Sequence, residues 1–110
     1  PGADPSWFGF MLSVKPDAKF TRNQLAGELT AARIGSRMLF GGNLTRQPAF
    51  INLLSERPDA WRSHGTLDGA DQIASRCLFV GVYPGLTDAM LDYMIKVIKT
   101  YANNRQNPDL

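Results

Sequence analysis

Apolar residues crowd the segment from Trp7 to Val14, where Trp7, Phe8, Phe10, Met11, Leu12 and Val14 leave little room for polar positions. Such density predicts a strand buried on at least one face, and Pro16-Asp17 behind it reads as a turn. The period then changes. Leu25, Leu29 and Ala32 recur at helical spacing and define one apolar face. Thr21, with Gln24 three residues on, has the pattern of a capping box, and Phe20 and Leu25 stand at the positions of a hydrophobic staple. Gly35 is the expected stop of this helix, and Met38 to Phe40 the second, short strand. Pro48 suits the first turn of another helix, with Phe50, Leu53 and Leu54 as its apolar face and Arg57-Pro58 as its end. Residues 58–69 read as a polar loop with one large anchor, Trp61. Asp71 is expected to cap a short helical turn through Arg76. From Cys77 to Tyr83, Leu78, Val80 and Val82 alternate with Phe79, Gly81 and Tyr83, the period of a strand. Pro84-Gly85 turns the chain and Thr87 caps the last helix, with Leu86 and Leu91 as a second staple. Leu91, Met94, Ile95, Ile98 and Tyr101 are its expected buried stripe, and the chain turns polar after Asn103.

The order β-α-β-α-turn-β-α, without internal repeats, predicts an α+β domain. Its expected form is a two-layer sandwich in which a small, mainly antiparallel three-stranded sheet is covered by helices. At 110 residues the chain has the size of one domain and is of marginal length for burying a large pocket of its own. Residues 1–6 have linker composition, so the domain is expected to run from 7 to 104, with 105–110 as a tail. The formal charge of +2 comes from scattered basic residues, which argues against nucleic acid as a partner. No apolar run is long enough to span a membrane. A single cysteine, Cys77, rules out an internal disulfide and a cysteine-rich metal site. A reducing cytosol fits these features.

Candidate chemistry concentrates between Gly35 and Pro48, in Gly-Ser-Arg-Met-Leu-Phe-Gly-Gly-Asn-Leu-Thr-Arg-Gln-Pro. The apolar triplet fixes a strand, and Gly41 and Gly42 open backbone angles closed to other residues. Asn43, Thr45 and Arg46 follow on a loop placed by that strand. Arg37 offers a fixed fork of donors for an anion or a sugar hydroxyl, although by residue type alone it better suits a surface arginine lying along the sheet. Asn43, Thr45 and Arg46 can contact a ligand or can cap the helix at Pro48. Gly41-Gly42 lacks the Gly-Lys-Ser/Thr signature of a phosphate loop. His64, the sole histidine, has no partner at metal spacing and reads as a solvated loop residue. Cys77 reads as a small buried hydrophobe, and Lys15, Lys19, Lys96 and Lys99 as exposed side chains. Tyr83 reads as a packing residue with its hydroxyl at the rim. Trp7, Phe8 and Phe10 read as core, with one of them available to face another domain.

The Gly35–Pro48 stretch also resembles a segment in the C-terminal domain of the DegT/DnrJ/StrS family, the vitamin-B6-dependent, fold-type-I aminotransferase relatives that modify sugars. Within that family it is most similar to nucleotide-sugar 3-dehydrases of the lipopolysaccharide type, of which CDP-4-keto-6-deoxyglucose 3-dehydrase is an example. Pro5-Ser6-Trp7-Phe8-Gly9-Phe10 resembles the strand that leads into the family's small domain, and Gly81-Val82-Tyr83-Pro84-Gly85-Leu86-Thr87 its final strand, turn and helix. The resemblance implies the same α+β architecture, as the C-terminal small domain of a larger enzyme whose N-terminal cofactor domain lies outside this sequence. It implies a cytoplasmic homodimer that uses pyridoxal or pyridoxamine phosphate (PLP or PMP) as electron sink. The reaction it implies expels the C3 hydroxyl of a nucleotide-linked 4-keto-6-deoxy sugar, for deoxysugar, O-antigen and lipopolysaccharide biosynthesis. Arg37, Asn43, Thr45 and Arg46 are then substrate-binding residues. No catalytic, cofactor-binding or metal residue carries over to this chain. The family's catalytic histidine belongs to the other domain, His64 does not match its motif, and the cysteines of iron–sulfur members have no match here. The chain by itself is expected to fold and to be inactive. Two alternatives stay open: a sugar aminotransferase of the same family, with lysine in place of that histidine, and a free-standing α+β interaction module with no enzyme attached.

Overall fold

The computed structural model describes residues 2–106. Its elements are β1 (Gly9–Ser13), α1 (Arg22–Ala31), β2 (Ser36–Met38), a 3-10 turn (Leu44–Arg46), α2 (Pro48–Glu56), α3 (Asp68–Arg76), β3 (Cys77–Gly81) and α4 (Asp88–Gln106). The three strands form one antiparallel sheet in the order β1-β3-β2. This is the expected α+β arrangement, with the last strand in sequence placed in the middle of the sheet. Cys77 to Val80 of β3 are all buried.

α1 begins as its sequence dictates. The Gln24 amide donates to Thr21 Oγ1 at 3.2 Å, and the Thr21 amide donates to Gln24 Oε1 at 2.8 Å, closing the capping box. It ends before Gly35. Arg33 takes the left-handed conformation at φ 59°. The Ile34 amide then donates to the Leu29 carbonyl at 2.8 Å and the Arg33 amide to that of Thr30 at 3.0 Å, the paired bonds of a Schellman close. Burial of Ile34 beside Leu29 offsets the cost of a non-glycine residue there.

Both outer strands are displaced from their apolar clusters. β2 lies at 36–38, two residues ahead of the expected start, because Phe40 is itself left-handed at φ 47° and leaves the ladder. β1 starts only at Gly9, and Trp7, Phe8 and Phe10 are not core: they are 70%, 70% and 63% exposed. Gly9 is required there, since a Cβ would lie 2.6 Å from the ring of Phe79. Phe79 projects from the sheet face opposite the helices and is covered by Phe8 and Phe40, at ring-centroid distances of 5.4 and 5.8 Å. β3 ends at Gly81, short of Tyr83, although the Val82 amide still donates to the Phe8 carbonyl at 3.1 Å.

The core lies between the other sheet face and helices α1 and α4. Leu78 and Val80 pack there with Val14, Leu25, Leu29, Ile34 and Tyr101, and Met94, Val97 and Ile98 close over them. Tyr101 meets Phe20 edge to face at 5.3 Å. Thr87 caps α4 as expected, accepting from the Met90 amide at 3.3 Å. The buried stripe of α4 is rotated from the expected one. Val97 joins it, whereas Leu91 and Ile95 are 40% and 48% exposed. With Phe10, Val82 and Leu86 they line an apolar cleft of about 240 Å³ beside β1. α2 contributes nothing to the core. It has no buried residue and is tied to its following loop by Trp61, whose Nε1 donates to the Phe50 carbonyl at 3.2 Å. The radius of gyration, 17.6 Å, therefore exceeds the value of about 13 Å for a compact chain of this length.

Leu29 and Leu78 are fully buried. Replacing either with alanine should cost about 2–5 kcal/mol, whereas Leu91→Ala or Ile95→Ala should cost less than ~1 kcal/mol in this chain. Urea melts of the four variants check this. Equal losses at Leu29 and Ile95 would contradict the α4 orientation.

Candidate functional site

The segment after β2 is pressed against α3 by one close contact. Gly42 has φ +60°, and a Cβ there would lie 2.7 Å from the Cβ of Ala74. Only glycine meets both the left-handed conformation and the close approach. The Arg22 guanidinium, at the start of α1, donates to the Ala74 carbonyl in the last turn of α3, where helix carbonyls lack internal partners. Gln47 Nε2 donates to the Gly41 carbonyl at 2.7 Å and closes the loop on itself.

On this support Asn43, Thr45 and Arg46 come together. Asn43 is 6% exposed and its amide is used at both ends. Its Oδ1 accepts from the Thr45 amide at 3.1 Å and from Thr45 Oγ1 at 2.7 Å, capping the 3-10 turn. Its Nδ2 donates to Asp71 Oδ1 at 2.8 Å. Arg46 completes the cluster, with Nε donating to Asp71 Oδ1 at 2.7 Å and Nη2 to Oδ2 at 2.5 Å. The capping role open to Asn43 and Thr45 is therefore real. It serves the 3-10 turn rather than α2, whose N-cap Gln47 makes no side-chain cap bond.

Arg37 is not brought into this cluster. It lies on β2 opposite Phe79, on the sheet face away from the helices, and donates to the Ser36 carbonyl at 3.1 Å. Asp71 is the residue that pattern reading missed. It is not the cap of a short turn: α3 begins three residues earlier, with Leu67 at its N-cap in the left-handed region at φ 60°. Asp71 sits in the first turn, where a carboxylate is favoured by the helix dipole. The one signal in the sequence is the pair of acids, Asp68 and Asp71, spaced one helical turn apart. Thr66 Oγ1 donates to Asp68 at 2.6 Å, which leaves Asp71 for the loop.

Hydrogen bonds from Arg46 and then Asn43 hold the Asp71 carboxyl below its ordinary value, against a smaller opposing effect of partial burial, and the positive charge of Arg46 adds to the lowering. The same bond raises Arg46. The pair is open to solvent, with side chains 72% and 31% exposed, so its strength is screened by water.

Lys15, Lys19, Lys96 and Lys99 are all exposed, and His64 lies exposed in the loop before α3. Among the described residues no three His, Cys, Asp or Glu side chains converge as metal ligands, and no helix is long and apolar enough to cross a membrane. What the cluster offers chemically is a set of directed donors on a fixed loop.

Residues 1–99 match the model of the DegT/DnrJ/EryC1/StrS aminotransferase family, and the chain belongs to that family. It is 45% identical over 101 residues to dTDP-4-dehydro-2,6-dideoxy-D-glucose 3-dehydratase of Saccharopolyspora spinosa, covering 92% of this chain and 21% of that protein. It is 39% identical over 99 residues to the lipopolysaccharide biosynthesis protein RfbH of Salmonella typhimurium, covering 90% of this chain and 21% of the relative. Among solved structures it superposes on the Escherichia coli GDP-4-keto-6-deoxy-D-mannose-3-dehydratase with bound hydrated PLP. The TM-score there is 0.71 at 29% identity, covering 84% of this chain and 23% of that one. The chain thus spans about a fifth of the length of these relatives.

Two outcomes test the cluster. Gly42→Ala should cost about 1–3 kcal/mol through its forced backbone conformation, and urea melts should show a loss at least that large, since Ala74 must also give way. Asp71 should titrate below its ordinary value of 3.8, and Arg46→Ala should move its midpoint upward, as read by carboxyl carbon NMR. The stability that this lowering represents is present above about pH 4 and is lost as pH falls through the folded-state midpoint. Melts of the wild type and Arg46→Ala should therefore converge in acid. A midpoint indifferent to Arg46→Ala would contradict the pairing.

Proposed function

We propose that this chain is the C-terminal part of a pyridoxal- or pyridoxamine-phosphate-dependent nucleotide-sugar 3-dehydratase, cytoplasmic and homodimeric, serving deoxysugar or lipopolysaccharide biosynthesis. The observation that carries the reading is the 45% identity, over 92% of the chain, to a protein named as a 3-dehydratase. The relative from Escherichia coli O55:H7, 28% identical over 96 residues, is named for the same reaction on a GDP-linked sugar. These names favour dehydration over transamination, and relatives several times longer than this chain disfavour a free-standing interaction module. The substrate class is a nucleotide-linked 4-keto-6-deoxy sugar. The cofactor, when bound, supplies the electron sink, and the residues that would hold it are outside this chain.

The share of this chain is to bind and orient substrate through Arg37, Asn43, Thr45 and Arg46. Arg46 and Arg37 offer guanidinium donors. The Thr45 hydroxyl, donating to Asn43, keeps its own lone pairs for a hydroxyl of the sugar. Asn43 is spent on the loop and holds the other two in register. The uncovered aromatic face around Phe8 and Phe40 supports packing against another protein surface in the whole enzyme.

In the full-length enzyme, Arg46→Ala and Arg37→Ala should each lower kcat/KM roughly 10- to 150-fold, the equivalent of a lost charged hydrogen bond of about 1.5–3 kcal/mol. Thermal melts should fall by no more than the small contribution of an exposed ion pair at Arg46, and the larger kinetic effect is expected at Arg46. Product masses should show a 3-deoxy sugar, whereas a 4-amino sugar would move the enzyme to the aminotransferases. Wild-type kcat/KM in both variants would withdraw the site.

A further inference from the structure

The Arg46 guanidinium is held on one side only. Nε and one hydrogen of Nη2 are engaged by the two oxygens of Asp71. Nη1, with the outer hydrogen of Nη2, has no partner among the described residues and forms a second donor edge facing away from α3. The carboxylate is fixed in turn. Asn43 Nδ2 donates to the same Oδ1, and the contact of Gly42 with Ala74 keeps the loop at a set height on the helix.

Asp71 also changes what Arg46 can recognise. The two edges of the planar guanidinium point about 120° apart, so an anion on the open edge lies roughly 1.7 times as far from the carboxylate as from the guanidinium, and the carboxylate cancels about half of the attraction. An uncharged oxygen loses far less, since its bond depends on direction. A bare arginine favours phosphate; this one is suited to a hydroxyl or keto oxygen.

We propose that Asp71 is a positioning residue that holds Arg46 edge-on and offsets its charge, so that the open edge reads an uncharged oxygen of the sugar and not the diphosphate. This rests on the substrate-binding reading above and adds to it both the residue that aims Arg46 and the part of the substrate it meets. Asp71 narrows the conformations open to Arg46 before substrate arrives, so less ordering is left to the binding step. Without Asp71 the substrate must order Arg46, at a cost of roughly 5- to 30-fold in KM.

The test uses the full-length enzyme and whichever dTDP-, CDP- or GDP-linked 4-keto-6-deoxyhexose it turns over, with the matching nucleoside diphosphate as competitive inhibitor. Variants are Arg46→Ala, Asp71→Ala and the double mutant, with the isosteric Asp71→Asn in place of alanine if melting shows that alanine unfolds the protein. Asp71→Ala should raise KM by that factor with kcat changed less. The double mutant should be no worse than Arg46→Ala, and inhibition by the nucleoside diphosphate should stay within about twofold of wild type in Arg46→Ala, as for a group outside its contacts. The Arg46 Nε–H resonance should be slow to exchange in the wild type and fast in Asp71→Ala. If Arg46→Ala is impaired while both Asp71 variants have wild-type kinetics, the inference falls and the substrate-binding reading stands. Additive losses in the double mutant, or nucleoside diphosphate inhibition weakened in step with KM, would overturn it in the same way. Wild-type kinetics in Arg46→Ala would remove the inference together with the part of the substrate-binding reading that rests on Arg46.

Discussion

β3 is buried on both of its faces, and most of the structure follows from covering it. Leu78 and Val80 need an apolar layer on one side, which α1 and α4 supply. Phe79 needs another on the opposite side, where Gly9 leaves room for its ring and Phe8 and Phe40 lie against it. As the middle strand, β3 must also find both ladder partners far away in sequence. α3 runs into it without a break, from Arg76 to Cys77, and the Val14 amide donates to the Arg76 carbonyl at 3.0 Å. The place of α3 is thus set by the central strand. Because Gly42 and Asn43 rest on α3, so is the place of the candidate site.

Local signals carried the helices. Thr21 with Gln24, and Thr87, act through atoms a few residues away, and such short-range chemistry is readable from order alone. Limits set by tertiary contact were not. Nothing local marks Arg33 rather than Gly35 as the left-handed close of α1; Ile34 decides it by entering the core. The shifts of β1 and β2 have the same origin, since Trp7, Phe8 and Phe40 are apolar enough to suggest a strand but lie outside the ladder. On α4, apolar residues at 91, 94, 95, 97, 98 and 101 outnumber what one face can bury, and only the angle of the helix on the sheet separates Val97 from Leu91 and Ile95.

The site divides along the same line. Asn43, Thr45 and Arg46 could be picked out as polar residues on a loop behind two glycines, and the structure does gather them. Ligand contact and capping looked like competing roles for them; here the caps are what hold the loop in shape, so one does not preclude the other. Asp71 was out of reach because its partners lie in a different part of the chain and its own neighbourhood resembles an ordinary helix start. Arg37, adjacent in sequence to the same loop, stays on β2 opposite Phe79 and, among the described residues, its side chain bonds only to the Ser36 carbonyl, outside the cluster.

The wet aromatic surface has a calorimetric consequence. Heat capacity of unfolding reflects the apolar area newly hydrated when the chain opens. Trp7, Phe8, Phe10 and Phe40 are largely hydrated already in the folded chain, and α2 keeps no residue fully from water. For 110 residues the usual increment is about 1.3–1.7 kcal/mol/K. This chain by itself must fall short of that, with a broad, flat stability curve. The same surface, once covered by other protein, would contribute its missing share to the heat capacity of association.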